Sequence, residues 1–554
     1  MTLATTDEHR VPSTWLVAAL YSVLTVVLTF PLAFHPGSTL VGSDPDYDLF
    51  MWTLAWDTHA FTHRPLGIFD ANIYFPFRYT LAYSENLIGS AFLAAPILWL
   101  SNNPILAVNF VELASVVLCG LGAYVLARRL GLIWPAAFVC GLIFAFAPAR
   151  FFRIAQIHLT AVQWIPLTLG FLHTYFQTGR RRDLWLACGF FSLQALTTGH
   201  GALFLLLAVL TLMAYRLVRG EPLEATRRLR DLSVAGLLLL APAALIVIPY
   251  RVVQVEMGLR RVLGDLAPTP QSFLASPTHV QTFLLSLIPE AQVMERASAT
   301  LFPGFLTILL AIAAFLPRRI VHDRAPADAS PLREIARYYG LLTVLSLLLA
   351  SAVIWPYVYW LPGMNFIRVP SRFIILTTLA LAVLAGIGTN RLLTAGSSAR
   401  RRLLAIAIPA LLIVEFLAIP FKVVPYEIRI PPADRWLKGQ PQPFVVAEVP
   451  VVMLDRYQTM FMFHSMAHWQ KTVHGYSGIR PELHERLYRE LRTFPDQASL
   501  DHLAALGVTY VVVHIDMYQE PGEWEAVEQR LTQYASRLRL EFHDKSSRVY
   551  SLTR

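Results

Sequence analysis

The sequence predicts a mainly α fold: a polytopic transmembrane helix bundle of about eleven crossings, with one short re-entrant or interfacial helix and a C-terminal extracytoplasmic α/β domain. Three observations carry this expectation. The 554 residues are 55% hydrophobic and 15% charged, with a mean hydropathy of +0.49, a composition far from that of a soluble domain. Apolar runs about long enough to span a bilayer recur up to residue 420. Beyond that point the chain turns polar, and apolar residues alternate with polar ones as in half-buried strands.

The apolar runs lie near 14–34, 105–127, 132–148, 160–177, 183–199, 201–218, 232–250, 301–317, 338–355, 372–390 and 403–420. The first, from Trp15 to Phe34, is too long for a signal-peptide core and lacks a basic flank and a cleavage site, so it reads as an anchor. A further run at 87–100 breaks the parity if it crosses, because Arg128 and Arg129 then fall outside. Pro96, Asn102, Asn103 and Pro104 suit a broken, interfacial or re-entrant helix there.

The formal charge of +9 belongs wholly to residues 1–420, which carry 30 basic and 21 acidic residues, against 16 of each in 421–554. Much of the excess gathers in short loops: Arg128 and Arg129, Arg180–Arg182, Arg227, Arg228 and Arg230, Arg318 and Arg319, and Arg400–Arg402. This is the positive-inside pattern, and it removes the case for a nucleic-acid partner. It places the N-terminus on the cytoplasmic side. The first loop (35–86), the long loop 251–300 and the domain 421–554 then face outward. The three cysteines, Cys119, Cys140 and Cys188, sit in apolar runs without metal-ligand spacing and read as core residues.

The first outer loop is strongly acidic, with Asp44, Asp46, Asp48, Asp57, Asp70 and Glu85 against only Arg64 and Arg78. Fixed negative charge beside lipid calls for a cation, a proton or a polar substrate. Asp44 and Asp46 are two residues apart, so an extended or turn backbone aims both at one Mg²⁺ or Mn²⁺ ion or one sugar hydroxyl. Either also suits a general base. The plain alternative is an Asp-Pro turn with solvated acids. Glu85 follows aromatic and Asn side chains fit for sugar contacts.

Arginines on the outer side oppose the positive-inside trend. Arg150 and Arg153 precede His158 and Gln163, and Arg368 and Arg372 flank Val369-Pro-Ser371. Their guanidinium groups suit either a phosphate or diphosphate of a substrate or the head groups of membrane lipids. His158 reads as substrate-orienting or structural. In the 251–300 loop four bases balance four acids, with Asp265 or Glu290 available as a further carboxylate. In the outer domain, His464 and His468 have the i, i+4 spacing of a metal pair but lack the glutamate of a zinc protease.

These patterns resemble the bacterial polytopic glycosyltransferases of the GT-C superfamily, in the broad group with the YfhO-like proteins. The likeness rests on Gly42-Ser-Asp-Pro-Asp, Asn72-Ile-Tyr-Phe-Pro, Leu121-Gly-Ala-Tyr, Gln163-Trp-Ile-Pro, Arg368-Val-Pro-Ser-Arg-Phe, and His468-Trp through Gly475-Tyr-Ser-Gly. It implies a sugar donor on a polyprenyl phosphate or diphosphate, and attack by a glycan, lipid or protein acceptor outside the membrane. Asp44 and Asp46 then serve as base or metal ligand, and Arg153, Arg368 or Arg372 meets the phosphate. A transporter or flippase of lipid-linked or polar solutes is the rival, and a noncatalytic assembly scaffold is a third reading. Transporters favour midplane charges and repeated halves, neither of which this sequence shows.

Overall fold

The computed structural model describes residues 12–42, 44–219, 230–231, 233–237, 240–258, 263–264, 266–288, 296–316, 330–361, 364–395 and 397–553. Asp265 and Glu290, and the basic residues Arg227, Arg228, Arg318 and Arg319, lie outside the described residues. The chain forms two compact units. The first comprises residues 1–36, 109–246 and 260–423; the second comprises 37–108, 247–259 and 424–554.

In the first unit, apolar runs fold as helices because a backbone in a greasy setting must satisfy its own hydrogen bonds. Each of the eleven expected runs holds one, from Thr14–Leu28 to Ser398–Glu415. Among the described residues three helices are long and apolar enough to cross a membrane: Pro104–Arg129, Gly199–Val218 and Pro370–Thr394. The third is the most buried and packs against Trp134–Phe146, Phe305–Ala313 and Ser330–Ala350.

Small residues set that closeness. A Cβ on Gly388 would stand 1.9 Å from the Leu310 carbonyl oxygen, and one on Gly141 would stand 2.1 Å from the Tyr21 hydroxyl. Helices that meet without a hydrophobic driving force gain from such intimate contact. A larger side chain at either position would force the helices apart.

The second unit carries two sheets. Strands β1 (Thr39–Leu40) and β2 (Val424–Pro425) pair antiparallel. The larger sheet holds β3 (Val445–Val449), β4 (Lys471–Thr472), β5 (Tyr510–His514), β6 (Leu538–His543) and β7 (Ser547–Leu552) in the order β4-β3-β5-β7-β6. Strand β3 runs parallel to β4 and β5, and β7 runs antiparallel to β5 and β6. The central strands are apolar on both faces, as strands covered on both sides must be. Ala447, Val449, Val511 and Val513 face a core with Leu487, Leu503 and Leu531, while Val446 and Val512 face Ala433, Leu437 and Phe444.

Two expectations change. Residues 45–63, read as part of a loop, form a 19-residue helix, Pro45–His63. Asp44 caps it, accepting from the Asp46 amide at 2.9 Å, Pro45 takes the first helical position, and Asp46 and Asp48 lie in the first turn. Those residue types favour a helix start by satisfying free amides and complementing the helix dipole. The run near 87–100 is one continuous helix, Ile88–Ser101, passing through Pro96 and ending at Asn102 in the left-handed region (φ 49°). The break expected there is absent.

Candidate active site

In the second unit the helix cap presents the carboxylates. Asp44 and Asp46 are both exposed at the start of Pro45–His63. One Asp44 oxygen is turned onto the backbone of Asp46. Asp46 Oδ1 accepts the Tyr476 hydroxyl at 2.8 Å, and the phenol is pushed up by burial and by that carboxylate.

One turn on, Asp48 is buried and accepts the hydroxyls of Tyr426 at 2.5 Å and Thr459 at 2.8 Å. Burial pushes its carboxyl above the usual range, against the pull of those two hydrogen bonds. Asp57 is fully buried, and neither of its oxygens has a hydrogen bond among the described residues. Burial alone holds its carboxyl well above the ordinary value, which favours the neutral acid.

Glu85 is buried in the same unit. Its neighbours are tied down by Tyr250, whose hydroxyl donates to the Ser84 carbonyl at 3.0 Å and accepts from Asn86 at 3.3 Å. A cavity of about 1310 Å³ also belongs to this unit, but Asp44, Asp46 and Glu85 do not line it. Its wall includes Trp56, His59, Arg435, Lys438 and Trp469, with Trp469 stacked on His59 at a ring separation of 4.6 Å.

In the first unit two arginines and two histidines gather. Arg372 donates to His200 Nε2 at 2.7 Å, and His158 and His200 meet edge to face at 5.4 Å. Arg153 donates to the Ala149 carbonyl and to Gln156. Burial and the nearby Arg372 bring the Arg153 guanidinium down to about 10, and burial with Arg372, His200 and Arg153 keeps His158 well below its usual value. Like charges held this close favour an anion among them. Arg368 is exposed and shares none of these contacts.

Beside this group, Glu112 is buried in Pro104–Arg129, accepting from Thr160 at 2.5 Å and from the Ala155 amide at 3.3 Å. Arg150, fully buried, donates to the carbonyls of Ala145 and Thr160. Sequence reading passed over Glu112 and His200, although one ionisable side chain inside an apolar run is itself a signal of function. The structure thus brings Arg153, His158 and Arg372 together, and places Asp44, Asp46 and Glu85 in the other unit.

No protein-family model and no curated protein matches the sequence. Among solved structures, the arabinofuranosyltransferase AftD from mycobacteria is similar over 98% of this chain and 40% of that one, at 14% identity and a TM-score of 0.57. The chain therefore spans about two fifths of that protein's length. The apo oligosaccharyltransferase of Archaeoglobus fulgidus aligns over 98% of this chain and 74% of its own, at 14% identity and a TM-score of 0.47. ArnT from Cupriavidus metallidurans, bound to undecaprenyl phosphate, aligns over 97% of each chain at 14% identity and a TM-score of 0.41. Only the first score bears on the fold. The chain shares its fold with that arabinofuranosyltransferase, and among the described residues it combines three helices long and apolar enough to cross a membrane with a small sheet-containing C-terminal region.

Proposed function

We propose that the chain is a membrane glycosyltransferase that moves a sugar from a polyprenyl-phosphate-type lipid donor to an acceptor on the extracytoplasmic face. The observation that carries this reading is the gathering of half-buried Arg153 and Arg372 with buried His158 and His200, in a fold shared with an arabinofuranosyltransferase. Guanidinium groups bind phosphate oxygens in a forked geometry, and a lipid phosphate is the anion this chemistry requires.

In the reaction, the bond from the sugar's anomeric carbon to the donor oxygen breaks, and the lipid phosphate leaves with the electron pair. A hydroxyl of the acceptor forms the new bond, and its proton passes to Asp44 or Asp46 as general base. Exposure of both carboxylates suits them to an incoming polar acceptor. Asp44 and Asp46 are the residues that would hold Mg²⁺ or Mn²⁺, which when bound would supply positive charge.

The same reading assigns residues 1–420 to a membrane domain of about eleven crossings and 421–554 to an outer domain, with the N-terminus cytoplasmic in a bacterial plasma membrane. Purified protein in lipid nanodiscs, given labelled polyprenyl-linked sugars and a panel of acceptors, is expected to release lipid phosphate with sugar transfer. In liposomes, movement of intact labelled lipid between leaflets without transfer would support the flippase and overturn this reading.

A further inference from the structure

The face of the larger sheet that carries Val446 and Val512 holds a group of side chains that the reaction above does not use. Glu448 lies on β3 opposite Val512 of β5, so His514, two residues beyond Val512, points to the same face. Helix Asp455–Ser465 brings His464 to that face, and helix Pro432–Leu437 brings Asp434. All four side chains are almost wholly buried: Asp434 is 0% exposed, Glu448 1%, His464 3% and His514 4%.

Glu448 Oε2 lies 2.6 Å from His464 Nδ1 and 2.8 Å from His514 Nε2. The three ligand atoms all lie within 4.8 Å of one another. Asp434 is the unexplained member. Neither of its oxygens has a hydrogen bond among the described residues. Oδ2 stands 3.9 Å from His464 Nδ1, at the edge of the group, and Oδ1 stands 3.8 Å from His468 Nε2. Among the described ion pairs no Lys or Arg meets Asp434 or Glu448.

Two carboxylates removed from water with only imidazoles beside them carry a large desolvation cost. A structure keeps such groups when something of opposite charge compensates them. A divalent cation cancels the charge of both acids at once, and two imidazoles with two carboxylates make a four-donor nitrogen and oxygen shell that suits zinc.

We propose that Asp434, Glu448, His464 and His514 form a buried structural zinc site in the outer domain. His468 faces the second oxygen of Asp434 and serves as a positioning residue, its Nδ1 fixed by the Gln470 amide at 3.0 Å. His474 holds β3 in place, taking the Glu448 amide at 2.6 Å while its other nitrogen meets the Tyr488 hydroxyl at 2.6 Å. With all four donors from the protein and no side chain left open to solvent, the site is closed. It therefore braces the sheet against helices Pro432–Leu437 and Asp455–Ser465 rather than taking part in sugar transfer.

The test uses the full chain without a histidine tag, stripped with chelator, reloaded with zinc sulfate and desalted. Elemental analysis is expected to give about one zinc per chain for the wild type, and a loss of at least tenfold for the Asp434→Asn, Glu448→Gln double variant. Zinc at or below background in the wild type, or unchanged zinc in a folded double variant, overturns the proposal. X-ray absorption of the loaded wild type gives a reading that needs no variant. Two imidazoles and two oxygen donors at about 2.0–2.2 Å are expected; a shell lacking imidazole, or one with six oxygens, overturns it.

Discussion

The Asp46 carboxylate accepts a hydrogen bond at 2.8 Å from the hydroxyl of Tyr476, 430 residues further along the chain. That bond fixes an exposed acid at the start of a helix, where a side chain would otherwise sample several rotamers. Tyr476→Phe removes the bond and keeps the ring. It is expected to lower kcat for sugar transfer by about fivefold to tenfold, matching the roughly 1 kcal/mol of one hydrogen bond. Steady-state kinetics with donor and acceptor varied in turn checks this, and an unchanged kcat would separate Tyr476 from the reaction.

Arg372 and His200 make the second relationship that predicts a phenotype. Arg372→Lys retains charge but loses the forked geometry, and is expected to raise KM for the lipid donor about tenfold with a smaller effect on kcat. Titration with polyprenyl phosphate alone should show the same loss of affinity. Equal affinity in wild type and variant would move the phosphate elsewhere.

Asp57 predicts a dependence of stability on pH. Burial raises its carboxyl, so the folded chain holds the proton more tightly than the unfolded chain. That contribution is fully present below the ordinary carboxylate range and is lost as pH rises through the raised folded value. Each unit of elevation is worth about 1.4 kcal/mol once the pH is above it. Asp57→Asn removes the penalty, so thermal unfolding from about pH 4 to about pH 8 should show a flatter profile and a higher Tm at neutral pH. Parallel profiles for the two proteins would contradict this.

How much of this could be read from sequence follows from what each residue reports locally. Arginines in loops that the charge pattern assigns to the outer side stand out from that pattern, and three candidates, Arg153, His158 and Arg372, do gather in one place. Alternation predicts strands such as Phe444–Val449 and Val508–His514, with helix-like segments near Glu482–Arg492 and Glu523–Leu538; β3, β5 and helices Glu482–Glu490 and Glu523–Gln533 lie there, but the strands are apolar on both faces. The helix after Asp44 was missed because its acids and aromatics blur any amphipathic stripe, although Asp-Pro is also a helix-start pair. Tyr426, Thr459 and Tyr476 were invisible as partners of the acidic helix, since nothing local links residues 378 to 430 positions apart. Glu112 and His200 were hidden by the apolar runs around them.

The central claim is that the exposed carboxylates at the start of Pro45–His63 take the acceptor's proton. Asparagine is well suited to separating chemistry from folding here, because it caps a helix about as well as aspartate. The decisive measurement is the single-turnover rate of lipid phosphate release by the wild type, Asp44→Asn and Asp46→Asn, each verified as folded by gel filtration. Loss of about 10²–10⁴-fold in at least one variant is the expected result. Wild-type rates in both would contradict the account.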